Sequence, residues 1–358
     1  MNNSSSYSGF QNLTPEAFLQ DRLSKQLWQY LAPIFLIIGL LGNACVFLVL
    51  KTMQFQKKST LLYFFLLALS DTVVLLVGLP YYWILETFEI NLRAQSNAGC
   101  KILMFLTYFS MHTSSWILVA VSIERFVIIK LPLKSSSIVT VKRSRYSATI
   151  IVVLLFFVDG YLIFTQHVQD GSCGSFPDDG FLYYFDENVF VWVDFCLLSA
   201  IPAAIMATCN VSITLELRQS VKQQTMLTRS SQQSQPTHHG HISSLTRMLL
   251  AANIMFLFTT LPISVYFIVD TFLELKQKDP LVKARMDLAW SIVYLIQYLN
   301  YTTNFYIYVA RGNRFRQAFW KLIGCSHSEL RSASSERGMS GRLRQLHRNS
   351  VSSQQTVI

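Results

Sequence analysis

Charged side chains are scarce in this chain. Asp, Glu, Lys and Arg make up 14% of its 358 residues, whereas a soluble domain averages about 25%. The hydrophobic fraction of 51% and the mean hydropathy of +0.34 exclude a disordered chain. The 30 basic residues outnumber the 20 acidic ones, but a nucleic-acid-binding domain would place such an excess on an otherwise polar face. This composition is typical of an integral membrane protein.

Seven apolar runs are long enough to cross a bilayer, which takes about 20 residues in a helix. They lie at Gln29–Leu50, Leu61–Leu85, Asn97–Ile129, Tyr146–Thr165, Asn188–Leu217, Leu245–Phe272 and Leu288–Val309. No internal repeat is visible, and the first apolar run is too long for a cleavable signal peptide. The sequence therefore predicts an all-α membrane protein, a seven-transmembrane helix bundle.

The basic residues predict how the bundle is oriented. With the N-terminus outside, 22 of the 30 Lys and Arg residues fall in inner segments, as the positive-inside rule requires. Glycosylation sequons at Asn2, Asn3 and Asn12 precede the first run and agree with this orientation. The resulting divisions are an extracellular glycosylated N-terminus (1–28), the bundle (29–310), an amphipathic surface helix (311–325) and a disordered cytoplasmic tail (326–358).

Three cysteines have a predicted role. Cys100 opens the third run and Cys173 lies in the next outer segment, so both face the oxidising compartment, which favours a disulfide between them. Cys325 ends the surface helix, where basic and apolar residues alternate at helical spacing. It is a candidate palmitoylation site, and an unmodified cysteine is the alternative.

Polar residues inside the predicted spans are candidates for function because they are costly to bury in lipid. They are Asn43, Asp71, Ser114, Asn300 and Asn304, which lie at similar depth in four spans. One carboxylate among neutral oxygens could bind a small cation such as sodium, and no other cofactor is expected. A network of hydrogen bonds between helices is the compatible alternative.

The inner end of the third span carries Glu124-Arg125-Phe126. We expect a local ion pair between the carboxylate and the guanidinium, which a second helix or a partner protein could replace. By itself such a pair is common at a helix end, where a charged side chain reaches out of the apolar layer to water.

These motifs, in this order, resemble the rhodopsin-like G protein-coupled receptors over the stretch from Gln29 to Cys325. The shared positions are Gly42-Asn43, Leu67-Ala68-Leu69-Ser70-Asp71, Cys100, Glu124-Arg125-Phe126, Cys173, Pro202, Phe256, Pro262, Asn304-Phe305-Tyr306-Ile307-Tyr308, Gly312, Phe315 and Arg316. The run from Asn300 to Phe305, with Gly312 and Phe315-Arg316, is similar to invertebrate neuropeptide receptors of the FMRFamide and myosuppressin type.

The chain departs from the family pattern at four places. Glu-Arg-Phe replaces the usual Asp-Arg-Tyr, and Phe305 replaces the proline of Asn-Pro-x-x-Tyr. The usual Cys-Trp-x-Pro reads Thr259-Thr260-Leu261-Pro262, which leaves Phe256 as the candidate aromatic switch. Asn210 stands where the fifth span usually has a tyrosine.

The resemblance implies a plasma-membrane receptor rather than an enzyme. The sixth span would swing outward at Pro262 when a ligand binds, and a heterotrimeric G protein would enter an inner crevice at Arg125 while Asn304 and Tyr308 repack. Arrestin, a receptor kinase and membrane lipids are further expected partners. Neither a nucleophile–base pair nor a metal-ligand cluster in the sequence indicates catalysis.

The outer residues point to a short cationic peptide with an aromatic end. Thr107 replaces the aspartate that amine receptors carry, and the seventh span lacks the lysine that opsins need for retinal. Acidic and aromatic residues instead surround the predicted mouth, and Asp194 and Asp270 are expected to contact a ligand Arg or Lys. The full set of candidate contacts is Glu86, Thr107, Tyr108, Asp194, Asp270, Trp290 and Tyr294.

Two alternatives stay open at this point. One is an orphan chemosensory receptor of the same fold. The other is a small transporter or channel, which would need several charges within the membrane, whereas only Asp71 and Asp159 lie clearly at mid-span.

Overall fold

A computed structural model describes residues 15–228, 239–273 and 279–324 of the chain. The glycosylation candidates Asn2, Asn3 and Asn12, the palmitoylation candidate Cys325 and the tail 326–358 lie outside the described residues.

The described residues form a bundle of long helices, named here span 1 to span 7. They are Pro15–Thr52, Ser59–Phe88, Asn97–Lys130, Val141–Asp159 with the short helix Leu162–Thr165, the segment 181–228, His239–Leu273 and Pro280–Arg311. Within that segment, Phe181–Phe185, Val191–Asp194 and Ile201–Thr228 are α-helical, and Asp186–Phe190 and Phe195–Ala200 are π-helical. Short helices at Pro132–Ile138 and Asn313–Leu322 flank the bundle.

Six of these helices, spans 1 to 6, are long and apolar enough to cross a membrane. Span 7 is more polar because it buries Ser291, Gln297, Asn300 and Asn304 against its neighbours. This architecture confirms the predicted helical membrane bundle, and a helix also follows span 7 where the surface helix was predicted.

Span 1 begins well before its predicted start at Gln29. One side of its first turns packs against span 7, where Ser24 Oγ lies 2.7 Å from Ser291 Oγ and Trp28 Nε1 donates to the same oxygen at 2.9 Å. Arg285 and Glu16 form an exposed ion pair at 2.6 Å nearer the helix start. The polar sequence before Gln29 therefore extends span 1 instead of forming a separate segment, because its polar groups find partners on span 7.

A disulfide closes one end of the bundle. Cys100, in the first turn of span 3, is bonded to Cys173, with 5.6 Å between the Cα atoms. Cys173 lies in a β-hairpin whose strands are β1 (His167–Gln169) and β2 (Ser172–Gly174). Val168 N also donates to Asn97 Oδ1 at 2.7 Å. The predicted disulfide is confirmed, and it holds the hairpin over the start of span 3.

Two apolar cores fill the bundle. The first includes Trp28, Leu75 and Tyr298 and lies toward the disulfide, the end called the disulfide end below. The second includes Phe64, Phe256 and Tyr308 and lies toward Arg125, the Arg125 end. The helix Asn313–Leu322 joins this second core through Phe315, whose ring centroid is 5.5 Å from that of Tyr308.

Candidate functional site

A cavity of about 170 Å³ opens between spans 3, 4, 5 and 6 at the disulfide end. Its lining residues are Met104, Tyr108, Leu162, Gln166, Asp186, Glu187, Phe190, Val191, Asp194 and Phe267. Three of these are carboxylates, and none of the described lining residues is basic. Two predicted ligand contacts, Tyr108 and Asp194, lie in this wall.

The π-helical turns of span 5 set the direction of these carboxylates. Asp186 and Glu187 begin the first π segment, and Asp194 immediately precedes the second one at Phe195–Ala200. Each π turn inserts a residue into the helix and so rotates the side chains that follow, and such insertions are frequent at functional sites.

Asp194 belongs to a buried cluster of charged groups. His112, in the middle of span 3, has Nδ1 2.9 Å from Asp159 Oδ1 and Nε2 3.1 Å from Asp194 Oδ1. Ionised carboxylates only accept hydrogen bonds, so both contacts together need two protons on the three groups. Asp194 is the partly exposed member of the cluster, with 14% of its side chain accessible, so its carboxyl group reaches the cavity wall.

Gln166 adds an acceptor to the same wall. Its Nε2 donates to Asp186 Oδ2 at 3.0 Å, which fixes the orientation of the amide because a carboxylate cannot donate. Its Oε1 is buried and has no hydrogen-bond partner among the described residues. Asp186, in contrast, also accepts from Tyr161 Oη and Ser175 Oγ, each at 2.6 Å. The buried polar atom without a partner among the described lining residues, Gln166 Oε1, is therefore an acceptor.

Aromatic side chains of spans 1, 2 and 7 stack at the same end. Trp290 lies against Tyr294 with ring centroids 5.2 Å apart, and Trp28 stacks on Tyr82 at 4.5 Å. Tyr82 also contacts both Trp290 and Tyr294 edge-on. The predicted contacts Trp290 and Tyr294 thus belong to a packed aromatic cluster, and Tyr294 is buried within it.

The other predicted contacts lie apart from the cavity. Thr107 accepts a hydrogen bond from Arg93 Nη2 at 3.2 Å. Glu86 lies near the end of span 2, where its backbone carbonyl accepts from Gln29 Nε2 at 2.6 Å. Asp270 is half-buried near the end of span 6 and does not line the cavity.

Asp71 is the centre of a hydrogen-bonded group at mid-span. Ser114 Oγ donates to Asp71 Oδ1 at 2.6 Å, and Asn304 Nδ2 donates to Asp71 Oδ2 at 2.7 Å. Asn43 instead donates to the carbonyl of Tyr301 at 3.4 Å, and the buried Nδ2 of Asn300 has no partner among the described residues. Asp71 is thus surrounded by N–H and O–H donors, as in a network of hydrogen bonds between helices, and sodium binding at this group stays a prediction.

The predicted ion pair between Glu124 and Arg125 does not form within the described residues. Glu124 accepts hydrogen bonds from Ser59, Thr60 and Ser144, and Arg125 Nη2 donates to Thr60 Oγ1. The reason is helical geometry, since adjacent residues of a helix do not face each other. Thr60 on span 2 therefore bridges the two charges, and Arg125 Nε stays buried without a partner among the residues described.

A polar link ties span 6 to spans 3 and 5 near Arg125. Asn253 Nδ2 donates to Ser122 Oγ at 2.8 Å and to Asn210 Oδ1 at 2.9 Å. Asn210, which stands where the fifth span usually has a tyrosine, thus contacts span 6. The predicted switch residue Phe256 is fully buried one turn further along, and Pro262 lies inside span 6.

Four of these residues escaped sequence reasoning: Arg93, His112, Gln166 and Asn253. A histidine in a span was the clearest available signal, because ionisable groups in the membrane are rare and usually functional. The partners of the other three depend on how helices and loops rotate toward each other, which the sequence pattern does not contain.

Comparison with known proteins gives two findings. The sequence model described as "7 transmembrane receptor (rhodopsin family)" matches residues 42–308, which run from span 1 to the last turn of span 7. The thyrotropin-releasing hormone receptor of Gallus gallus is 24% identical over 318 residues, which cover 80% of this chain and 76% of that protein.

Proposed function

Because the chain belongs to the rhodopsin family of seven-transmembrane receptors, we propose that it binds a short cationic peptide outside the cell and activates a heterotrimeric G protein. The observation that carries the choice of ligand is the cavity with three carboxylates and no basic residue among its described lining. A cationic side chain in that cavity would gain ion pairing, and also a hydrogen bond to Gln166 Oε1, which has no partner among the described residues.

Two further observations support this proposal. Trp290, a half-buried member of the aromatic cluster at the same end, offers a contact for an aromatic residue of the same peptide. The similar Gallus gallus protein is, by its name, a receptor for a hormone. The proposal places the disulfide end and the N-terminus outside the cell, in keeping with the 22 of 30 basic residues on the other side.

A library of tetrapeptides, each with one Arg or Lys and one Phe, Tyr or Trp, tests the proposal in transfected cells by calcium and cAMP readouts. We expect hits whose potency falls about 10- to 100-fold in Asp194→Asn, since a hydrogen-bonded charge contributes about 1.5–3 kcal/mol. Asp270→Ala tests the second predicted contact of the cationic group in the same assay.

Asp159→Asn is the matched control for Asp194→Asn. It removes a carboxylate from the opposite side of His112 without altering the cavity wall, because Asp159 is fully buried and does not line the cavity. Equal loss of potency in both variants at equal surface expression would show a structural role and contradict ligand contact at Asp194.

The polar link at Asn253 predicts a change in basal signalling. Asn253→Ala removes both of these hydrogen bonds between span 6 and spans 3 and 5. The arrangement in which span 6 packs against spans 3 and 5 should then lose stability relative to one in which span 6 has swung outward. We expect G-protein signalling without peptide to rise several-fold, measured as nucleotide exchange in membranes. Ser264→Ala is the control, since Ser264 Oγ bonds only the Thr260 carbonyl of its own helix at 3.1 Å among the described residues. Basal activity equal to that of the control would refute this function of Asn253.

A further inference from the structure

Arg93 is a buried cation outside the spans. It begins the short helical turn Arg93–Gln95 between spans 2 and 3, and 9% of the residue is exposed. Asn91 Oδ1 accepts hydrogen bonds from Arg93 N at 3.1 Å and from Ala94 N at 3.2 Å. The side chain of Asn91 therefore fixes the backbone of this turn, and the guanidinium group of Arg93 is not needed for that purpose.

The groups around the guanidinium are neutral. Its Cζ lies 4.0 Å from the ring centroid of Tyr81 and 5.9 Å from that of Tyr82. Nη2 donates to Thr107 Oγ1 at 3.2 Å, and the buried Nε has no hydrogen-bond partner among the described residues. No described carboxylate forms an ion pair with Arg93.

This arrangement leaves a charge without compensation. A buried charge is costly unless it is paired, and arginine cannot relieve the cost by losing its proton. The contact with Tyr81 offsets only part of the cost, because the buried Nε still has no acceptor among the described residues. The guanidinium therefore has an N–H donor without an acceptor, next to the aromatic rings of Tyr81 and Tyr82.

We propose that Arg93, with Thr107 and Tyr81, binds an oxygen acceptor of the ligand, either a carboxylate or an amide carbonyl at the end of the peptide. This inference rests on the proposed peptide-receptor function. It adds that the ligand carries an oxygen acceptor as well as a cationic side chain. The cationic side chain enters the carboxylate cavity, and the acceptor end reaches the guanidinium on the span 2 side. Thr107 then serves as the group that orients Arg93.

A purely structural role for Arg93 makes the opposite prediction for the protein without ligand. If the arginine only pinned the turn to span 3, Arg93→Met would lower the melting temperature. If it is a site for an acceptor, removing an uncompensated cation leaves the melting temperature within about 2 °C of the wild-type value or raises it. Arg285→Met removes a cation from the same end of the bundle and is the matched control.

Binding is tested on the purified receptor in detergent with three fragments that differ in one group. They are N-acetylphenylalanine, its primary amide, and N-acetylphenethylamine, which lacks the terminal oxygen acceptor. At saturating concentration we expect the first, the second or both to raise the melting temperature by about 2 °C or more. The third should not raise it, and Arg93→Met should abolish the effect that Arg285→Met retains.

The fragments also identify the acceptor. Stabilisation by the acid alone assigns a carboxylate, and stabilisation by the amide, with or without the acid, assigns a carbonyl oxygen. Equal stabilisation of wild type and Arg93→Met, no stabilisation by any fragment, or a ligand-free Arg93→Met protein that melts several degrees low would each overturn the inference.

Failure of this inference is distinguishable from failure of the proposed function. The tetrapeptide library tests signalling, whereas the fragments test binding at Arg93 without any signalling readout. With a library hit in hand, Arg93→Met should lower its potency about 10- to 100-fold. A hit whose potency is unchanged in Arg93→Met would leave the proposed peptide-receptor function standing and would contradict the proposed binding site at Arg93.

Discussion

Replacing His112 with phenylalanine is expected to prevent the receptor from reaching the cell surface. The substitution keeps an aromatic ring of similar size but removes the two ring nitrogens, which lie 2.9 Å from Asp159 Oδ1 and 3.1 Å from Asp194 Oδ1. Two carboxylates would then be left near each other in the bundle, and Asp159 is fully buried. Removing one partner of a buried ion pair costs about 3–5 kcal/mol, a large part of a total stability of about 5–15 kcal/mol.

Surface labelling and thermal unfolding in detergent measure this loss. His167→Phe is the control, because His167 is partly exposed and lies 3.8 Å from Asp179, so little should change. The triple variant His112→Phe/Asp159→Asn/Asp194→Asn should recover much of the surface expression, since it removes the charges together with their partner. Normal expression of His112→Phe alone would show that the cluster contributes little to folding.

The general architecture was accessible from the sequence because it depends on few properties. Hydrophobic length alone predicts each span, and the positions of Cys100 and Cys173 on one side of the bundle predict their disulfide. The start of span 1 was missed because the polar residues before Gln29 look like a solvated segment until Ser291 on span 7 supplies their hydrogen bonds.

The details of the site depend on helix rotation, which the sequence does not contain. Depth in the membrane grouped Asn43, Ser114, Asn300 and Asn304 with Asp71, but only Ser114 and Asn304 face it. Sequence adjacency suggested an ion pair between Glu124 and Arg125, yet neighbours on a helix point in different directions. The meeting of His112 with Asp194 further depends on the π turns of span 5, for which no sequence signal was available.

Arg125→Ala is expected to abolish G-protein activation and to spare peptide binding. Among the described residues Arg125 forms no ion pair with Glu124, and its Nη2 donates one hydrogen bond, to Thr60 Oγ1. It lines a cavity of about 420 Å³ at the Arg125 end, together with Lys57, Lys58 and Arg314. A partner that enters when span 6 moves would meet a guanidinium with unfilled donors, so the alanine variant removes a contact made only in the active arrangement.

The prediction can be tested before any ligand is known by combining two variants. Asn253→Ala is expected to raise basal nucleotide exchange, and adding Arg125→Ala should return that exchange to background at equal surface expression. Lys57→Ala, made in the same Asn253→Ala background, removes a charge from the same cavity and should keep most of the signal, which separates a specific contact from general attraction by the basic face. Exchange that persists in the double variant would mean that the G protein does not use Arg125, and the proposed mode of coupling would be wrong.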